Sequence, residues 1–138
     1  MRREFVLPEN DVDFLDNSGY KWETITDKGM QWVIIHDYTV ASGYHQQTVN
    51  IAIKIDTGYP RAQLDMAYFF PPLQRLDGKS INATCPQIID GISFQRWSRH
   101  RTPQNPWRED VDDLSTHVSL ICFWFEQEFI KKPNEITT

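Results

Sequence analysis

Between residues 47 and 56 the chain reads QTVNIAIKID, with apolar and polar side chains in alternation. Val49, Ile51, Ile53 and Ile55 take one side; Asn50, Ala52 and Lys54 take the other. A period of two predicts a strand. The run before it, QWVIIHDYTV at 31–40, predicts a second strand, with Trp32, Ile34, His36, Tyr38 and Val40 on one side and Val33 and Ile35 on the other. ASGYHQ supplies the turn between the two. TGYP makes the next turn, and QLDMAYFF at 63–70 predicts a third strand, closed by Pro71-Pro72. Three consecutive strands with short connections make an antiparallel meander.

Two stretches carry a helical signal instead. PENDVDFLDNSG at 8–19 has proline for a first turn, acidic residues towards its N-terminal end and glycine as a stop; Val12, Leu15 and Phe14 turn inward. In DVDDLSTHVSLICFWFEQEFI at 110–130, Leu114, Val118, Ile121, Cys122, Phe125 and Phe129 recur at helical spacing, and Asp110, Asp112 and Asp113 suit the N-terminal end. Residues 73–109 show no sustained period. A loop of that length in a small domain is usually either functional or disordered, and Ile92, Phe94, Trp97 and Trp107 predict that this one is ordered and packed. KKPNEITT at 131–138 reads as a polar tail. The expectation is one α+β domain over 1–138, its core at about 4–130: a helix, a meander sheet, a long structured loop and a second helix.

Composition narrows the function. At 138 residues, 40% hydrophobic and 13% aromatic, the chain has material for a real core. A formal net charge of -5 argues against nucleic-acid binding through bulk charge. No apolar run is long enough to span a membrane, and MRREFVLPEND lacks a signal-peptide core, so a cytoplasmic protein with no membrane partner is expected. Cys85 and Cys122 are read as free thiols in that compartment. The triplet Asn82-Ala83-Thr84 then carries no glycosylation meaning. No pair of histidines or cysteines has zinc spacing, and no glycine-rich phosphate loop is present, so neither a metal nor any other cofactor is expected.

Against this acidic background one segment stands out. FQRWSRHR at 94–101 gathers Arg96, Arg99, Arg101 and His100 around Trp97 and Ser98. Arginines beside tryptophan often stack and form ion pairs that hold a loop, and Asp110, Asp112 and Asp113 are available partners. The same residues suit a nucleophilic hydroxyl, which needs a base and a positive field to attack a carbonyl.

The order of elements, GYP before the third strand and YFFPP at its end resemble the ubiquitin-conjugating-enzyme fold. LPENDVDFLDNSGYKWE, GYPRAQLDMAYFFPPL, DGISFQRWSRHR and PWREDVDDLSTH are similar to a bacterial branch of that superfamily, over about residues 4–130. The resemblance implies acyl transfer with three protein partners: a ubiquitin-like modifier, a separate activating enzyme and a target protein. It also implies a cysteine nucleophile after a glycine, in a segment following His-Pro-Asn. Here there is no His-Pro-Asn, and the glycine-led segment holds Ser93 and Ser98 but no cysteine.

Ser98 is therefore the first candidate nucleophile, with His100 as base, Arg96 for the oxyanion or the modifier's tail, and Gln95 as an oxyanion donor. Trp107 stands where the family places a tryptophan after the nucleophile. Arg99, Arg101, Trp97 and His117 are supporting residues, His117 by ordering the segment from the last helix. Ser93 and Cys85 are alternative nucleophiles; Cys85 has no basic residue close to it in sequence. By the same resemblance the acidic first helix, with Glu9, Asp11, Asp13 and Asp16, suits a basic surface on the activating enzyme. A catalytically silent docking module for the modifier or the activating enzyme is the competing reading. A single-stranded nucleic-acid module built on RWSRHR is disfavoured by the net charge.

Overall fold

In the computed structural model, which describes residues 1–133, the elements run α1 (Glu9–Asn17), β1 (Trp22–Asp27), β2 (Met30–Thr39), β3 (Thr48–Ile55), β4 (Ala67–Phe70), β5 (Thr84–Ile89), β6 (Ile92–Trp97) and α2 (Leu114–Lys131). The strands form one six-stranded antiparallel sheet in the order β1-β2-β3-β4-β6-β5. The α+β expectation holds, and the meander of three strands is its middle.

Three strands escaped the periodicity reading. β1 pairs with β2 through a tight turn at Lys28-Gly29, both at positive φ (50° and 77°). β5 and β6, inside the segment expected to be an irregular loop, form a hairpin about Asp90-Gly91, again both at positive φ (53° and 73°). Two central residues of positive φ match the right-handed twist of the flanking strands, which is why Asp-Gly is so strong a hairpin signal. The loop expected over 73–109 thus shrinks to two shorter connections around that hairpin.

One face assignment and three boundaries also move. β2 carries a bulge between Ile35 and Tyr38, where Asp37 adopts φ 53° and its N–H donates to Asn50 Oδ1 (3.0 Å). The extra residue reverses the alternation. Trp32 and Ile34 face one side, while Tyr38 and Val40 join Val33 and Ile35 on the other. β4 begins at Ala67 and not at 63, because Met66 lies at φ 57°. α2 likewise begins at Leu114: Asp113 is its cap, accepting from the Thr116 N–H, and the Thr116 hydroxyl accepts from the Asp113 N–H. The helix runs to Lys131, so the tail read at 131–138 starts inside it, and from residue 134 onward it lies outside the described residues.

Both faces of the sheet bury apolar side chains. On one face Val33, Ile35, Val49, Ile51, Ile53, Phe69 and Trp97 meet Leu15 of α1 and Leu114, Ile121 and Phe125 of α2. On the other, Ile25, Trp32, Ile34, Ala52, Tyr68, Ile89 and Phe94 form a second core. Among the described residues no helix covers that face; the sheet curls so that the β5–β6 hairpin closes over it. At the hairpin tip Asp90 N–H donates to Asp27 Oδ2 of β1 (3.1 Å), and Arg2 bridges Asp90 (2.7 Å) and Glu23 (3.0 Å).

Asp11 joins the two helices. It is 1% exposed, and its carboxylate accepts from Tyr59 Oη (2.5 Å) and from the Leu114 N–H at the start of α2 (3.2 Å). The acidic face expected on α1 therefore loses this member to the interior. Among the described residues, no helix is long and apolar enough to cross a membrane.

Candidate active site

The FQRWSRHR segment begins inside β6 and leaves it at a sharp turn. Trp97, fully buried, is the anchor: its ring meets Phe69 at 5.1 Å and Phe125 at 5.9 Å between centroids. Its Nε1–H donates to Gln95 Oε1 (2.9 Å). The same Gln95 oxygen accepts from Leu73 N–H (2.9 Å), and Gln95 Nε2 donates to Leu73 O (3.2 Å). Gln95, expected as an oxyanion donor, is instead turned into the fold, where a two-sided amide can fasten both a backbone strand and an indole.

Ser98 follows. Its N–H donates to Ala83 O (3.0 Å), one step beyond the β5–β6 ladder, and Arg99 N–H donates back to Trp97 O (3.0 Å). With a two-residue hydrogen bond around it and a negative φ, Ser98 is the central residue of an inverse γ-turn, a common way for a strand to end. Among the described residues nothing hydrogen-bonds its hydroxyl, and the oxygen is not buried.

The three arginines divide. Arg99 lies over the Trp97 ring (4.9 Å), donates to Asn82 O (3.1 Å) and Ser98 O (3.3 Å), and approaches Glu128 of α2 (3.7 Å). Arg101 lies over Trp107 (4.9 Å) and faces Asp112 at 3.7 Å, both side chains nearly buried. Trp107 in turn donates to Pro60 O (3.0 Å), tying the loop to the GYP turn. These two arginines hold the segment in place. Arg96 differs: its Nε, like that of Arg101, is buried without a partner, but no ion pair or hydrogen bond of its side chain is seen among the described residues, and it stands across the ladders from Tyr68 on one side and Cys85 on the other. The basic neighbour that Cys85 lacks in sequence is supplied across the strand.

His100 is 59% exposed at its side chain, and its Nδ1 lies 2.9 and 3.0 Å from the two oxygens of Asp65. No hydrogen bond joins it to Ser98. Ser93 is exposed near the Asp90-Gly91 tip, opposite Ile88 and away from this cluster. Cys122 is a half-buried free thiol on α2, its Sγ 2.9 Å from Tyr38 Oη.

His117 of α2 is joined to the segment through Met66. Its Nε2–H donates to Met66 O (2.8 Å), and Met66 N–H donates to Arg99 O (3.1 Å). Burial holds the imidazole at about 4, below the usual 6.5, and leaves Nδ1 unpartnered. An unfolded chain takes up this proton first as pH falls. His117 thus favours the fold fully above pH 6.5, and that contribution is lost as pH drops towards 4. Urea unfolding is expected to show ~2 kcal/mol less stability at pH 5 than at pH 7 from this residue, a difference that His117→Gln removes.

Between α1, the GYP turn and the approach to α2 lies a hollow of about 310 Å³, walled by Asp11, Tyr59, Arg61, Asp110 and Asp113. It flanks the Trp107 side of the loop.

An α+β domain with a polar, partly open segment between its sheet and last helix is consistent with a conjugating-enzyme-like protein. The comparison with known families makes this specific: the model of Prokaryotic E2 family E matches residues 7–128, and the chain belongs to that family. No curated protein and no solved structure matches it. Membership points to a ubiquitin-conjugating-like role, with dealings with a modifier and an activating enzyme.

Proposed function

We propose that the protein takes a ubiquitin-like modifier from its activating enzyme as an oxyester on Ser98 and passes it to an amine of a target protein. The observation that carries the choice of nucleophile is the Ser98 hydroxyl, without a hydrogen-bond partner among the described residues at the turn that ends β6, with Arg96, its Nε buried and unsatisfied, two residues before it and His100 two residues after. In the first step Ser98 Oγ attacks the activated carbonyl at the modifier's C-terminus. Its proton passes to His100 Nε2, the C–S bond breaks, and His100 returns the proton to the sulfur, so the activating enzyme leaves as its thiol. In the second step the target amine attacks the ester carbonyl and gives up a proton to His100, the C–O bond to Ser98 breaks, and His100 passes that proton to Ser98 Oγ to restore the hydroxyl. Arg96 steadies the negative charge on the carbonyl oxygen in both steps, where a fixed cation in a partly dry site is most effective.

One observation favours a second reading. Cys85 faces Arg96 across the β5–β6 ladder, and a thiol needs less help than a hydroxyl. Intact mass spectrometry with activating enzyme, modifier and ATP separates the two. An adduct that survives thiol reductant and yields to hydroxide supports the serine ester. A reductant-labile adduct lost in Cys85→Ala overturns it in favour of a thioester. No adduct with demonstrably active partners leaves a docking module for the modifier or the activating enzyme.

A further inference from the structure

We infer that Asp65 is a positioning residue for His100: its carboxylate holds Nδ1 protonated and so turns an unprotonated Nε2 outward as the base of the site. This rests on the reading of His100 given above, and it adds a residue that no sequence motif pointed to.

The geometry is specific. Both Asp65 oxygens lie within 3.0 Å of His100 Nδ1, and among the described residues no hydrogen bond reaches Nε2. A neutral imidazole has one N–H and one lone pair, and the partner of one nitrogen decides which is which. A carboxylate accepts only, so Nδ1 carries the hydrogen and Nε2 the lone pair. Asp65 is itself held. The next residue, Met66, sits at φ 57° and is fixed on both of its backbone polar groups, its N–H by Arg99 O and its C=O by His117 Nε2. The left-handed residue turns the chain out of the line of β4. The two bonds lock that turn against the segment that carries His100. The buried His117 therefore sets the aim of Asp65, and Asp65 sets the tautomer of His100. Such a carboxylate also steadies the imidazolium formed when Nε2 takes the proton. Asp65 touches neither the substrate nor the reacting atoms, so its part is orientation.

The test reads the tautomer directly, without partners. Long-range ¹H–¹⁵N NMR of the histidine side chains is expected to show neutral His100 as the Nδ1–H form in the wild type, and as a mixed or Nε2–H form in Asp65→Ala. Asp65→Asn, which keeps the packing and removes the charge, guards against a folding defect and is expected to loosen the preference too. In single-turnover charging, Asp65→Ala and His100→Ala are each expected to slow acylation on the order of 10²-fold, and the double variant no further than either alone. An Nδ1–H form that persists in both Asp65 variants overturns the inference. A tautomer change with an unaltered charging rate supports the positioning and overturns the catalytic reading of His100.

Discussion

Ser98→Ala is expected to abolish the acyl adduct, a loss on the order of 10³-fold or more in charging, because the other hydroxyl beside Arg96, that of Tyr68 across the ladder, is buried, and Ser93 lies away at the hairpin tip. The fold should be indifferent. Among the described residues the Ser98 hydroxyl has no hydrogen bond to lose, and the turn it occupies is held by backbone bonds and by the Arg99 side chain on Ser98 O, none of which the substitution removes, so thermal stability is expected to stay within about 0.5 kcal/mol of the wild type. Ser98→Cys supplies the complementary result. A thiol at that position should charge readily, and its adduct should become labile to reductant and discharge faster to amines, since a thioester is the more reactive acyl donor. Charging that survives intact in Ser98→Ala would remove the serine from the mechanism.

Arg75→Met is expected to lower stability by about 3–5 kcal/mol, measured as a shift in the urea midpoint at constant m-value. Arg75 has no exposed side-chain surface. Its guanidinium pairs with Asp77 (2.6 Å) and Glu128 (3.2 Å) and lies over Phe129 (4.6 Å). Removing it leaves the Glu128 carboxylate, 8% exposed, with Arg99 at 3.7 Å as its remaining cation among the described residues. A buried charge deprived of its partner is the costly case; replacing both partners with apolar groups is far milder. Arg75→Met with Glu128→Leu should therefore recover much of the loss. Because Arg99 also leans on Glu128, the single variant should slow charging as well, through disorder in the Ser98 segment, at temperatures where the fold is still intact.

The sequence and the structure agree where local pattern decides the outcome. β3 was plain because its isoleucines alternate without interruption, and α2 because its apolar residues keep helical spacing. β5 and β6 had an available signal in Asp90-Gly91, but Pro86 interrupts one run and Gln95-Arg96 the other, so neither shows a sustained alternation. The faces of β2 were assigned wrongly beyond Ile35 because one bulge at Asp37 reverses everything after it, and Asp-Tyr does not announce a bulge. For the site, the segment was legible and the division of labour within it was not. Arg99 and Arg101 bind partners well downstream in the chain, and Gln95 binds one well upstream. Asp65 and His100 stand 35 residues apart in sequence and meet only because Met66 turns the backbone between them. Local reading finds charge density; only the fold tells which charges are already spent.

The contacts that close the molecule also bear on how it is made. Arg2 meets Asp90, and Asp11 on the first helix receives the N–H of Leu114 on the last. A chain emerging from the ribosome can pair β1, β2 and β3 early, but it cannot seal the second core until the hairpin at 84–97 is out, nor join its helices until α2 follows. Contacts this distant in sequence slow folding, since loop closure comes before its reward. Until then β4 is an open sheet edge, exactly the surface that β6 later fills, and the young protein depends on nothing else finding it first.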